Sequence, residues 1–136
     1  MTPKKIKTVA VNKSDYKIYL KKADDFYKMT QKAQDSETWT AVGLSAVHCA
    51  ISCRDTLLTF HLGIRSGGED HMQAVDLLAR ITKLGASSEI NTFKRIIAKK
   101  SLIAYECREF RQAEAVDIAK LAERFYKWVL SNLPRS

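Results

Sequence analysis

The sequence predicts an all-α protein, an up-and-down bundle of four long helices plus a short fifth helix. Three observations carry this. Between Thr38 and Cys53 there is no Lys, Arg, Asp or Glu, and a helix apolar over most of its circumference belongs at the centre of a set of others. Elsewhere the apolar residues recur with the 3.6-residue period of a helix. Glycine and proline are scarce, five and two in 136 residues, and Pro3 and Pro134 lie near the ends. The interior breakers are then Gly63, the pair Gly67-Gly68 and Gly85, which punctuate helices and their connections. A chain of this length forms one domain and removes roughly two-thirds of its unfolded surface from water.

Residues 1–13 read as a basic flexible arm and residues 14–133 as the bundle domain. Ser14 is a good N-cap, with Asp15 in the first turn. The first helix then runs to about Ala33 on the stripe Tyr16, Tyr19, Leu20, Ala23, Phe26, Tyr27 and Thr30. Ser36 caps the second helix. Its apolar arc, from Trp39 to Phe60, leaves a narrow face of small polar groups, Ser45, Ser52, Thr56 and Thr59, with His48 and Asp55 at one edge. Gly63 ends it as a C-cap. A third helix is expected from about His71 to Leu84, before Gly85. The fourth is capped by Ser87 or Ser88 and runs unbroken to between Tyr105 and Arg108. It buries Ile90, Phe93, Ile96, Ile97, Ile103 and Ala104. The last helix runs from about Arg111 to Asn132, and its Ala115, Ala119 and Ala122 suit close helix approach.

The net charge of +8 is uneven: residues 1–35 hold nine Lys against four Asp. Lys94, Arg95, Lys99 and Lys100 form a second basic cluster. Such faces favour anionic partners, although a Lys-rich solvated helix face accounts for the same pattern. Three Cys is an odd count and reads as reduced thiols packed as small apolar groups. The start of the chain has no long apolar run of the kind a signal peptide needs. Thr38–Cys53 is too short and too rich in Ser, Thr and His to span a membrane. The expectation is a cytoplasmic protein without a membrane partner. Metal chemistry is not expected either: His48 projects about 100° away from Cys49 on a helix, and no second Cys/His pair exists. No Glu-x-x-His occurs, no hydrolase triad is legible, and no cofactor is implied.

Three features break the apolar pattern: Arg54, Lys100 and the pair His48/Asp55. Arg54 falls near the middle of the apolar arc, where an Arg needs a carboxylate; Glu106, Glu109 and Asp76 are the candidates. Lys100 falls in the middle of the buried face of the fourth helix, with Asp55 as its candidate partner. Burying an unpaired ammonium costs several kcal/mol. These charges either tie helices together as structural ion pairs or line a polar pocket. The run Arg65-Ser66-Gly67-Gly68-Glu69-Asp70-His71 precedes a helix and offers free amides of the kind that hold phosphate. Its own Glu69 and Asp70 oppose that use.

The runs AVHCAISCRDTLLTFHLGIRSGGEDHMQAVDLL and KSLIAYECREFRQAEAVDIAKLAERFYKWVLSNL resemble the HEPN (higher eukaryotes and prokaryotes nucleotide-binding) superfamily over about residues 36–133. The resemblance lies in an apolar second helix ending in Leu-Gly, a His opening the third, Lys-x4-Tyr closing the fourth, and a last helix with spaced alanines and an aromatic–Trp pair. It implies the helical bundle and a homodimer. It also implies an RNA- or nucleotide-binding role, or a nucleotidyltransferase-type partner in a toxin–antitoxin system. The superfamily's ribonuclease motif is Arg, four to six residues, then His, near the start of the last helix. Here Arg108 is followed by no His. Arg65-x5-His71 meets the spacing, but in the connection between the second and third helices.

The sequence therefore reads as a HEPN-like nucleotide- or RNA-binding module that lacks the family's catalytic motif and binds its ligand through Arg54, Asp55, Lys100, Tyr105 and Arg108. The alternatives are a metal-independent ribonuclease using Arg65 and His71, with His71 as general acid–base, and a purely structural dimerisation bundle.

Overall fold

The computed structural model describes residues 8–67, 74–81 and 87–134. The chain is mostly helical. A short strand β1 (Thr8–Ala10) and a 3-10 turn (Lys13–Asp15) lead into α1 (Tyr16–Asp35) and α2 (Trp39–Leu62). Then follow β2 (Ile64–Ser66), α3 (Ala74–Ala79), α4 (Ser87–Ala98), α5 (Lys100–Tyr105) and α6 (Gln112–Ser131).

α2 is the hub. Fourteen of its twenty-four residues are buried, so no single face serves as its core side. It packs against α1, α3, α4, α5 and α6, while α6 also touches α1 and α4. The core includes Val42, Ala46, Val47, Leu57 and Leu58 of α2, Phe93 and Ile96 of α4, and Ile118, Phe125 and Val129 of α6. Phe93 and Phe125 meet with ring centroids 5.3 Å apart.

The narrow polar face of α2 lies against α1. The hydroxyls of Thr30 and Ser45 are 2.8 Å apart, and Ser45 donates to the Ala41 carbonyl at 2.7 Å. Thr56 donates to the Ser52 carbonyl at 2.7 Å. Cys49 Sγ lies 3.6 Å from the Ala23 carbonyl. Small side chains let the two helices approach, and their hydroxyls spend themselves on nearby backbone carbonyls, so the buried seam carries little unsatisfied polarity. The Thr59 hydroxyl is the exception: it is buried without a hydrogen-bond partner.

The boundaries depart from the sequence expectation in four places. Ser36 closes α1 instead of opening α2: its N–H and hydroxyl both donate to the Lys32 carbonyl, at 3.0 and 2.9 Å. Thr38 precedes α2, and Glu37 takes a positive φ of 57° between the two. The basic arm is not free over its described part. Thr8, Val9 and Ala10 pair antiparallel with Ser66, Arg65 and Ile64. Gly63 makes that pairing reachable. It ends α2 at φ +66°, as a C-cap glycine does, and its carbonyl accepts the Val11 N–H at 2.9 Å. The fourth helix is broken at Lys99 into α4 and α5. The third helix stops at Ala79, with Arg80 and Ile81 already outside it, short of the expected end at Leu84; its expected start at His71 lies outside the described residues.

The break at Lys99 turns α5 and the following segment across the start of α2. A Cβ placed on Gly43 would lie 2.8 Å from Phe110 Cε2 and 2.9 Å from Ile103 Cδ1. Only a glycine lets them seat there. Gly43→Val is expected to lower stability by about 3 kcal/mol or more, through overpacking against a buried ring. A urea unfolding midpoint equal to wild type would contradict the close approach.

Candidate functional site

One stripe of α2 is less covered than the rest. Leu44, His48, Ile51 and Asp55, spaced four, three and four residues apart, are exposed or half-exposed among buried neighbours. Such spacing places them in a row on one face. α1 flanks the row on one side, α4 and α5 on the other. His48 and Asp55 are seven residues apart, about 10 Å along the helix at 1.5 Å per residue.

At the Asp55 end, Arg54 is 2 % exposed. Its Nε and a terminal nitrogen donate to Asp55 Oδ1 at 3.1 and 3.0 Å. Adjacent residues on a helix do not face one another, so the long Arg side chain must bend back to reach its neighbour. The guanidinium also lies 5.9 Å from the centroid of the Phe93 ring, within cation–π range. Burial pushes the Asp55 carboxyl above its ordinary range, and the attraction of Arg54, Arg65 and Lys22 draws it partway back. Cations on three elements thus act on one carboxylate, Lys22 of α1, Arg54 of α2 and Arg65 of β2, and of these Arg54 is bonded to it. Asp55, expected opposite Lys100, is instead the partner of Arg54.

At the His48 end, the imidazole lies on Phe26 of α1, centroids 5.3 Å apart and planes 27° apart. Lost hydration, and then the Lys100 ammonium, hold His48 below the ordinary imidazole range. It is therefore a neutral aromatic ring at neutral pH. Lys100 does not sit in a buried helix face. The break at Lys99 moves it to the start of α5, where it is half-exposed. Its ammonium is not buried, and the energetic problem the unbroken helix would pose does not arise.

Beyond Lys100 lies a basic ridge. No acidic residue occurs between Glu89 and Glu106, while Lys94, Arg95, Lys99 and Lys100 do. Lys94, Arg95 and Lys99 are exposed, and none of the three forms a salt bridge among the described residues. Tyr105 ends α5 at 80 % exposure. Arg108 is held by Glu114 at 2.7 and 3.0 Å in a two-point pair.

The residues expected to form one pocket therefore divide. Arg54, Asp55 and Arg65 belong to one end of the stripe. Lys100, Tyr105 and Arg108 belong to the other, where the segment crosses α2 at Gly43, eleven residues or about 16 Å from Arg54. Of the two residues weighed as a ribonuclease pair, Arg65 donates to the Ser66 carbonyl at 3.2 Å, and His71 lies outside the described residues. Lys22 and Phe26 are additions that the periodicity of α1 could not supply, because it ranks residues by face and not by neighbour. Among the described residues no group of three or more His, Cys, Asp or Glu could hold a metal ion. None of the described helices is long and apolar enough to cross a membrane. No protein-family model matches the chain, and no curated protein matches it.

Two outcomes are expected. Asp55→Ala removes one charged partner of the buried Arg54 and is expected to cost about 2 kcal/mol; an unchanged urea midpoint would show the pair to be dispensable. For His48, the folded value lies below the unfolded one, so the unfolded chain takes up the proton first as pH falls. Its contribution is intact above the ordinary imidazole value of about 6.5 and is lost below it. His48→Gln is expected to shrink the drop in Tm between about pH 7.5 and pH 5.5. An identical drop in both proteins would remove His48 from the acid response.

Proposed function

We propose that the chain is a HEPN-like module that binds RNA or nucleotides. One observation carries the reading: the ridge of Lys94, Arg95, Lys99 and Lys100, free of intervening acids and ending on the exposed ring of Tyr105. A row of cations tracks a phosphate backbone, and an exposed aromatic beside it gives a base a surface to stack on. On this reading the helices form an up-and-down bundle in which α4 and α5 together count as one long helix. The protein works in the cytoplasm as a homodimer, or with a nucleotidyltransferase-type partner in a toxin–antitoxin system.

Counterion release supplies the test. Affinity for single-stranded RNA is expected to fall linearly on a log–log plot against salt, with a slope of about −0.7 per phosphate neutralised. Replacing Lys94 and Arg95 together by Ala is expected to weaken binding at low salt and to make the slope shallower by about 1.4. Binding that ignores both salt and the double replacement would refute the ridge as the nucleic-acid surface.

A further inference from the structure

We propose that His48, resting on Phe26 at the inner end of the ridge, is a stacking platform for an unpaired nucleobase whose phosphate is held by Lys100. The inference rests on the nucleic-acid reading above and assigns it a second contact, on α2 instead of the last helix.

Four features converge. His48 is exposed although it sits on the most buried helix of the molecule. Its ring stacks on Phe26, centroids 5.3 Å apart and planes 27° apart, so one face is backed by an aromatic while the residue as a whole remains exposed. Lys100 lies close enough to act on the imidazole, and it is the one charge among the described residues that does so. A planar neutral ring beside a single ammonium suits a group that is itself flat and carries an anion, which is the chemistry of a nucleotide. Finally, Lys100 begins α5 and the exposed Tyr105 ends it, so Lys100 stands five residues before a second aromatic, while Lys94, Arg95 and Lys99 precede both in the chain. A platform of this kind reads the π-face of a base, which a duplex keeps covered, so the strand it takes is unpaired.

The experiment compares single-stranded oligoadenylate with inorganic polyphosphate, which carries the charge without the bases. His48→Ala is expected to lower oligoadenylate affinity about five-fold or more, the size of one lost stack, and to leave polyphosphate binding unchanged. Lys100→Ala is expected to weaken both ligands. His48→Phe keeps a flat ring and is expected to bind oligoadenylate more tightly than His48→Ala does. Because His48 is at the surface, circular dichroism should show the same helix content in every variant. Equal affinities of wild type and His48→Ala for oligoadenylate would overturn the platform, and so would equal losses for both ligands. If these results accompany weakened binding by the Lys94/Arg95 double variant, the platform fails while the ridge stands. Wild type that binds neither ligand at low salt would overturn the nucleic-acid reading and the platform with it.

Discussion

The structure depends on burying one helix almost all the way round. α2 is apolar on too much of its circumference to lie on a surface, so it must be enclosed. Among the described residues five helices do the enclosing, and three of the contacts differ in kind. α1 uses the small polar seam, where hydroxyls bond to nearby carbonyls and the backbones come close. α6 contributes aromatic and aliphatic bulk around Phe125 and Ile118. α5 and the segment after it seat on Gly43, where a single methyl would collide. The break at Lys99 answers the same demand, since a straight continuation of α4 would carry Lys100 into the buried face.

Enclosure has an electrostatic consequence. Arg54 is carried into the interior by its place on α2, and a buried guanidinium needs a compensating charge. It finds one in the next residue. The geometry costs a bent side chain, and it places Asp55 where burial works against its ionisation and three cations work for it. Lys22, Arg65 and Arg54 come from three separate elements, and the short β-ribbon brings the third of these into range. That ribbon also explains why the amino-terminal residues from Thr8 onward are ordered against the body: Gly63 turns the chain so that β2 presents an edge, and β1 takes it.

The part of α2 left open is as informative as the part covered. Leu44, His48, Ile51 and Asp55 form a stripe between α1 and α5 whose two polar residues face different surroundings. Asp55 is bonded to Arg54 and feels two further cations. His48 stacks on an aromatic ring and feels one ammonium. Lys100 acts on the imidazole, so charge, aromatic surface and exposure coincide at the His48 end, whereas at the Asp55 end the carboxylate is bonded to Arg54.

The helical class, the central place of α2 and the stop at Gly63 were legible in the sequence, because apolar periodicity and a left-handed C-cap are local properties of the chain. So was the presence of charges inside apolar runs. Which charge met which was not. An unbroken fourth helix would set Lys100 in a buried face with Asp55 as its candidate partner, and the apolar arc of α2 offers Arg54 only the candidates Glu106, Glu109 and Asp76. A break at Lys99 and the reach of the Arg side chain reversed both. The role of the first residues, the seating of Phe110 on Gly43 and the stacking of His48 on Phe26 likewise came only with the tertiary structure. The sequence by itself determined which surfaces must be buried, since that depends on residue type and period. Tertiary structure decided the partners, since those depend on distances between segments far apart in the chain.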